Sequence, residues 1–269
     1  MGNVLETRNL TKRFGRRACR FSRNSEHNSD VTYAVQGVSL HVPEGAVYGL
    51  LGPNGAGKST TLKMIAGMLH PTSGTIVFDG HPWQRADLYR IGALIENPPL
   101  YPNLTARENL RVRTMMLGIP EARIDDVLRM VDLTDTGSKR TAQFSMGMKQ
   151  RLGIALALLG QPKLLILDEP TNGLDPMGVE DMRYLIRALP ERGISVIVSS
   201  HILAEVSHVA DKVGIITEGK LAFEGLLAPG TDLEHLFMSV CRRAACERRQ
   251  GGHGKAEREE NEAANETVA

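Results

Sequence analysis

An α/β fold on a mainly parallel sheet, with a helical segment inserted into it, is what the sequence predicts. Three observations carry it. Short apolar runs alternate with helical patterns over about residues 1–227, as in a sheet covered on both faces. Residues 98–150 have another texture, rich in helix formers and poor in β-branched runs. One apolar run passes through a glycine-rich turn straight into a helical run, giving strand, loop and helix in succession.

The strands are read in order. Val47–Leu51 is apolar and ends in the glycine-rich turn. Thr75–Asp79 and Ile91–Ile95 follow. Leu164–Leu167, Ser195–Ser199 and Val213–Thr217 are short, apolar and bounded by polar or turn residues. The helical insertion is placed at about 98–150. Residues 16–32 are polar and interrupt the path between two strands, so they read as an extended loop. From residue 242 onward there are six Lys/Arg and six Asp/Glu, with almost no large apolar side chain, so disorder is expected. The domain is therefore placed at 1–237 and a charged tail at 238–269.

Composition limits the function. In 269 residues, 42% are hydrophobic but only 4% aromatic, so the core rests on Leu, Ile, Val, Ala and Met. The net charge of +1 argues against a nucleic-acid footprint. No apolar run approaches the roughly 20 residues of a membrane-spanning helix. The N-terminus MGNVLETRNL has no apolar signal region, and Glu6 stands where a myristoylation motif has Ser or Thr. Cys19, Cys241 and Cys246 form neither a disulfide framework nor a zinc spacing, which fits a reducing cytosolic compartment.

The chemistry is concentrated in two segments. Gly52-Pro53-Asn54-Gly55-Ala56-Gly57-Lys58-Ser59 fits G-x-x-x-x-G-K-[ST], with Thr60 next in the cradle. Its glycines let backbone N–H groups approach phosphate oxygens, and the helix N-terminus adds the positive end of its dipole. Lys58 is placed to reach the β- and γ-phosphates and Ser59 to hold Mg2+. The second segment, LLILDE at 164–169, is an apolar strand ending in Asp168 and Glu169. Taken alone it reads as a solvated acidic turn. Beside a phosphate loop, Asp168 is expected near Mg2+ and Glu169 is the candidate general base for an attacking water.

The motifs agree in order and spacing. Phe14, the GPNGAGKST loop, FSMGMKQR at 144–151, LLILDEPTNGLD at 164–175 and His201 in VSSHILAE resemble ABC ATPases over about residues 2–237. The resemblance implies an ABC-type P-loop ATPase core with an antiparallel β subdomain and an inserted helical subdomain. It implies two such domains enclosing two ATP molecules head to tail, the second being another copy of the chain. Ser145, Met146, Gly147 and Met148 would then contact the γ-phosphate of the partner's ATP. Asp175 would communicate between the sites, and His201 would be the switch histidine at the γ-phosphate. Phe14 would stack on adenine, with Tyr33 as the rival aromatic.

Two positions depart from the family pattern. Met146 replaces the first of two glycines, while Gly147 is kept. Glu96 stands where most members have a metal-ligating glutamine. A carboxylate also ligates Mg2+, and its charge near Glu169 would disfavour a second ionised carboxylate. Glu96, with FSMGMKQRLGIALALLG and VYGLLGPNGAGKSTTLKMIAGML, is similar to the ATPase subunits of lantibiotic-immunity and bacitracin-resistance transporters. That implies a subunit on the cytoplasmic face of the membrane, bound to permease subunits through the helical insertion. ATP hydrolysis would expel an antimicrobial peptide or another amphiphile. The alternatives are a non-transport ABC ATPase acting on nucleic acid or ribosomes, or a low-turnover regulatory subunit. Neither long heptads nor a second phosphate loop is present to favour the first, and the intact Asp168-Glu169 pair and His201 oppose the second.

Overall fold

In the computed structural model, residues 2–15, 31–228, 230–244 and 246 are described. The polar loop read at 16–32 and the tail beyond residue 246 lie almost wholly outside these residues, as does Cys19.

The chain begins with an antiparallel sheet. Strands β1 (Asn3–Phe14), β2 (Thr32–Val38) and β3 (His41–Pro43) are followed by β4 (Val47–Leu51) and helix α1 (Lys58–Ile65). Next come β5 (Ser73–Phe78), β6 (His81–Pro82) and β7 (Ile91–Leu94). The first sheet runs β2-β1-β5-β6, with β3 also paired to β1. The run read at Thr75–Asp79 is thus a strand, but it belongs to this antiparallel sheet, on which β1 pairs both β2 and β5.

Three helices follow: α2 (Ala106–Leu117), α3 (Ala122–Met130) and α4 (Met146–Leu158). They occupy the segment read as a helical insertion, and α4 runs on past residue 150. Helix α2 starts on a capping box, in which the Thr105 hydroxyl accepts from the Glu108 N–H and the Glu108 carboxylate accepts from the Thr105 N–H. The rest of the chain is β8 (Leu164–Asp168), α5 (Pro176–Ala188), β9 (Ser195–Ser200), α6 (Leu203–Ser207), β10 (Lys212–Thr217) and β11 (Lys220–Leu226). A final helix, α7, covers residues 233–244 and crosses the 237/238 boundary drawn from the sequence.

The second sheet has the order β11-β10-β4-β9-β8-β7, parallel throughout except for the edge strand β11. Every residue of β4, β8 and β9 is buried. Their unbroken apolar runs follow from this, because both faces of the sheet are covered. One face packs through Leu50, Ile166 and Ile197 onto Leu62, Ile65 and the antiparallel sheet. The other packs through Leu165, Leu167 and Val196 onto Leu152, Leu158, Ile186 and the inserted helices. Leu233 and Val240 of α7 close a third cluster with Leu51, Val206 and Val213.

This topology positions the site. Strands β4, β9 and β8 are neighbours, and their register pairs Leu51 with Ser200 and Asp168 with Ser199. Their carboxyl ends therefore finish on one edge, the edge where open α/β sheets bind ligands.

Candidate functional site

The phosphate loop leaves β4 at Gly52. Three of its glycines have positive φ: Gly52 at 158°, Gly55 at 78° and Gly57 at 106°. Gly57 cannot be another residue without displacement, because a Cβ there would meet the Ala34 carbonyl oxygen at 2.4 Å. Gly57 is also the N-cap of α1 and offers no side-chain cap. The first N–H groups of α1 thus have no side chain to satisfy them and stay available to an anion. Lys58 is buried, and its ammonium donates to the carbonyls of Gly52 at 2.8 Å and Pro53 at 3.3 Å. Pro53, Asn54 and Gly55 are exposed at the loop's tip; Ala56 is buried, and Ser59 and Thr60 are part-exposed.

The β8 end delivers the two carboxylates. Asp168 Oδ1 accepts from the Ser199 hydroxyl at 2.5 Å. Glu169 follows with φ at 51°, which swings its side chain out of the strand direction. Its N–H donates to the Ser199 carbonyl and hydroxyl, both at 3.1 Å. The Glu169 carboxylate lies between two nitrogens: Oε1 is 3.4 Å from Lys58 Nζ, and Oε2 is 2.5 Å from His201 Nδ1. The Asn172 amide donates to Oε2 at 2.8 Å. Three separate motifs of the sequence, at 58, 169 and 201, thus meet at one carboxylate.

The oxygen chemistry fits a hard divalent cation. Ser59, Asp168 and Glu96 offer only oxygen, the donor set Mg2+ takes together with phosphate oxygens. Among the described residues no cluster of three or more His, Cys, Asp or Glu forms a cage of its own. Such a cage is not what this chemistry requires, since phosphates and waters complete an Mg2+ shell. Glu96 has φ at 64° and an exposed side chain, and Lys63 of α1 donates to its Oε1 at 2.5 Å.

The segment FSMGMKQR forms a second surface. The Ser145 hydroxyl caps α4 and accepts from the Met148 N–H at 3.3 Å. Asp175 caps α5 and accepts from the Gly178 N–H at 2.9 Å. The two helix starts share a groove of about 410 Å3, lined by Met146, Gly147, Met148, Gly173 and Met177 among others. Met146 and Met177 are exposed along it. Phe14 and Tyr33 lie at the end of the β1–β2 ribbon, where Phe14 pairs with Thr32 and Arg13 with Tyr33, so the register puts the two rings on opposite faces. Both rings are exposed, and Lys12 Nζ lies 5.3 Å from the Phe14 ring centre.

Comparison with known proteins now decides the family. The ABC transporter profile matches residues 35–172. The chain belongs to the ABC transporter family. It is 46% identical over 234 residues to the lantibiotic transport ATP-binding protein SrtF of Streptococcus pyogenes, covering 87% of this chain and 96% of that protein. It is also 46% identical to the bacitracin transport ATP-binding protein BcrA of Bacillus licheniformis, over 83% of this chain and 70% of that one. Among solved structures it matches the dimeric ATP-binding cassette MJ0796 bound to ADP and Pi, at a TM-score of 0.69 and 26% identity, covering 83% of this chain and 99% of that one. This ABC subunit is an ATP-binding and ATP-hydrolysing transport motor. No helix of the described residues is long and apolar enough to cross a membrane.

The sequence reading did not anticipate Ser199, which serves both carboxylate residues, nor Lys63 and Asn172. Its one available signal was the pair Ser199-Ser200 ahead of His201, polar residues ending an otherwise apolar strand.

Proposed function

We propose that Glu169 is the general base of this ATPase, and that the complete site forms between two copies of the chain. The observation that carries this is the seat of Glu169 between Lys58 and His201 at the end of a buried parallel strand. Lys58, Gly52 through Gly57, Ser59 and Thr60 hold the phosphates, with the N–H groups at the start of α1 facing them. Phe14, exposed at the end of β1, offers a face for adenine. Mg2+, held by Ser59, Asp168 and Glu96, would balance charge on the β- and γ-phosphate oxygens.

The ammonium of Lys58 is already engaged by two carbonyls and Glu169. A γ-phosphate competes for that ammonium and so relaxes its hold on Glu169. The freed carboxylate takes a proton from water as the water oxygen bonds to the γ-phosphorus. The bond from phosphorus to the β–γ bridging oxygen breaks, and ADP and phosphate result. His201 carries a hydrogen-bonding ring at the same carboxylate, and this supports a bond from it to the γ-phosphate. At the start of α4 the Ser145 hydroxyl and the Gly147 N–H are donors for a partner's phosphate, and Met148, whose N–H is taken by Ser145, lines the same surface. Asp175 holds the adjoining α5 start. Hydrolysis removes the group that joins the two copies, and they part.

The transported molecule is proposed to be a lantibiotic- or bacitracin-like peptide or another amphiphile, expelled from the membrane. The likeness to SrtF and BcrA supports this. The chain is placed on the cytoplasmic face, bound by the α2–α3 region to permease subunits.

Phosphate release and ATP-dependent association of the parent and Glu169→Gln test the reading. Loss of turnover with an ATP-stabilised dimer supports it. Parental turnover by a monomeric Glu169→Gln refutes both the base and the sandwich.

A further inference from the structure

We propose that Glu205 is a positioning residue for hydrolysis, one whose carboxylate clamps the loop of Glu169 to the loop of His201. This rests on the roles given above to Glu169 and His201. Glu205 lies in the short helix α6 and is the last residue of VSSHILAE, the motif in which only His201 was assigned a role.

Its Oε2 accepts two hydrogen bonds. The Thr171 hydroxyl donates at 2.5 Å and the Ser200 hydroxyl at 3.1 Å. Thr171 stands two residues after Glu169, and Ser200 stands one before His201. Both donors are buried, at 8% and 3% exposure. A buried hydroxyl needs an acceptor, and an ionised carboxylate oxygen is a strong one that can take more than one donor. The Ser200 oxygen also accepts from the Ile202 N–H at 2.9 Å. The Ile202 carbonyl, at 3.3 Å, is the more distant of the two acceptors open to the Ser200 proton.

The clamp sits where the sheet stops holding. The β8–β9 ladder pairs residues as far as Asp168 and Ser199 and no further. Beyond it, apart from the bond from the Glu169 N–H to the Ser199 carbonyl, the two loops are joined by side chains. The contact they must keep is short: 2.5 Å between Glu169 Oε2 and His201 Nδ1. A shift of one loop by a fraction of an ångström would lengthen or break it. The Thr171 loop also continues to Asp175, through a turn in which the Leu174 N–H donates to the Thr171 carbonyl at 3.1 Å. Glu205 therefore links the phosphate end of the site to the α5 start on the groove. A glutamate in the first turn of a helix also complements the helix dipole. That role alone would need no bonds to two other loops.

The test measures ATPase kinetics, binding of a fluorescent ATP analogue and thermal melting for Glu205→Ala, Glu205→Gln, Thr171→Val and the pair Glu205→Ala/Thr171→Val. Displacement of a reacting group lowers rate steeply, so Glu205→Ala should lose roughly ten- to a hundredfold in kcat. Analogue binding should stay at the parental value, and the melting temperature should fall modestly, since a buried hydroxyl loses its acceptor. Glu205→Gln keeps an accepting oxygen and should recover most of the rate. The pair should be no slower than Glu205→Ala alone, since both changes remove one shared bond. A parental kcat for Glu205→Ala overturns the proposal. So does a loss that comes with weakened analogue binding, one that Glu205→Gln shares in full, or one that adds fully to Thr171→Val. Glu169→Gln is measured alongside. Parental turnover there would sink the role of Glu169 itself, whereas an inactive Glu169→Gln beside a normal Glu205→Ala sinks only the clamp.

Discussion

Helices α1 and α4 both begin beside the site, yet they begin differently. Helix α1 starts at Gly57, which has no side chain to cap it. Helix α4 starts at Ser145, whose hydroxyl already takes one of the free N–H groups. The contrast extends to the surroundings. The α1 end holds a buried lysine in contact with a carboxylate, while the α4 end opens into a methionine-lined groove. An uncapped, cation-bearing end is built to bind phosphate by itself. On the proposed reading, the capped end, with its remaining N–H groups, joins phosphate brought by the other copy. The two halves of the site should therefore fail in different ways.

The largest effect is expected at Glu169. Glu169→Gln should cut kcat by about 10^2-fold or more while nucleotide still binds, as read by phosphate release and analogue binding. Next is Gly57→Ala. Its Cβ would meet the Ala34 carbonyl, and φ at 106° disfavours any side chain. Nucleotide binding should fall together with melting temperature. On the groove side, Ser145→Ala should cost about 1 kcal/mol of helix capping. It should lower turnover while leaving nucleotide binding by the single copy intact. If Ser145→Ala weakens that binding as much as Gly57→Ala does, the two halves are not distinct.

The strands at this edge were legible because they obey one local rule. A strand covered on both faces must be apolar through its middle, and VYGLL, the LLIL of LLILD and the VIV of SVIVSS are. Lys58, Asp168 and Glu169 were legible because their spacing to a strand end is fixed by covalent geometry. Ser199 was not, since it lies 31 residues from Asp168 in sequence and reaches it only through the β8–β9 register. The Lys63–Glu96 pair joins residues 33 apart in the same way. Its visibility depended on how α1 sits on the sheet, which no local pattern records. For that reason Glu96→Gln is informative. If Glu96 holds metal, the Mg2+ dependence and pH profile of hydrolysis should move; if it only pairs with Lys63, neither should.

A smaller effect is expected away from the site, where the two sheets meet. Burial alone would raise the Glu224 carboxyl, but bonds from the His41 N–H and ring, the Tyr48 hydroxyl and nearby Lys212 hold it below its ordinary 4.5. A carboxylate depressed in the folded state adds stability above its unfolded pKa and loses it as pH falls through the folded one. The melting temperature of the parent should thus drop more steeply below about pH 4.5 than that of Glu224→Gln. Equal acid slopes would remove Glu224 from the account.

The claim at the centre is that each complete site takes its loop half from one copy and its groove half from another. Mixing two inactive variants tests this most directly. Lys58→Ala disables the loop half and Ser145→Arg the groove half. Each variant alone should be inactive in phosphate release. Mixed in equal amounts, heterodimers would carry one site with both halves intact, and ATPase activity should return to a fraction of the parental rate. A mixture as inactive as its components, although the two copies associate, would contradict the shared site.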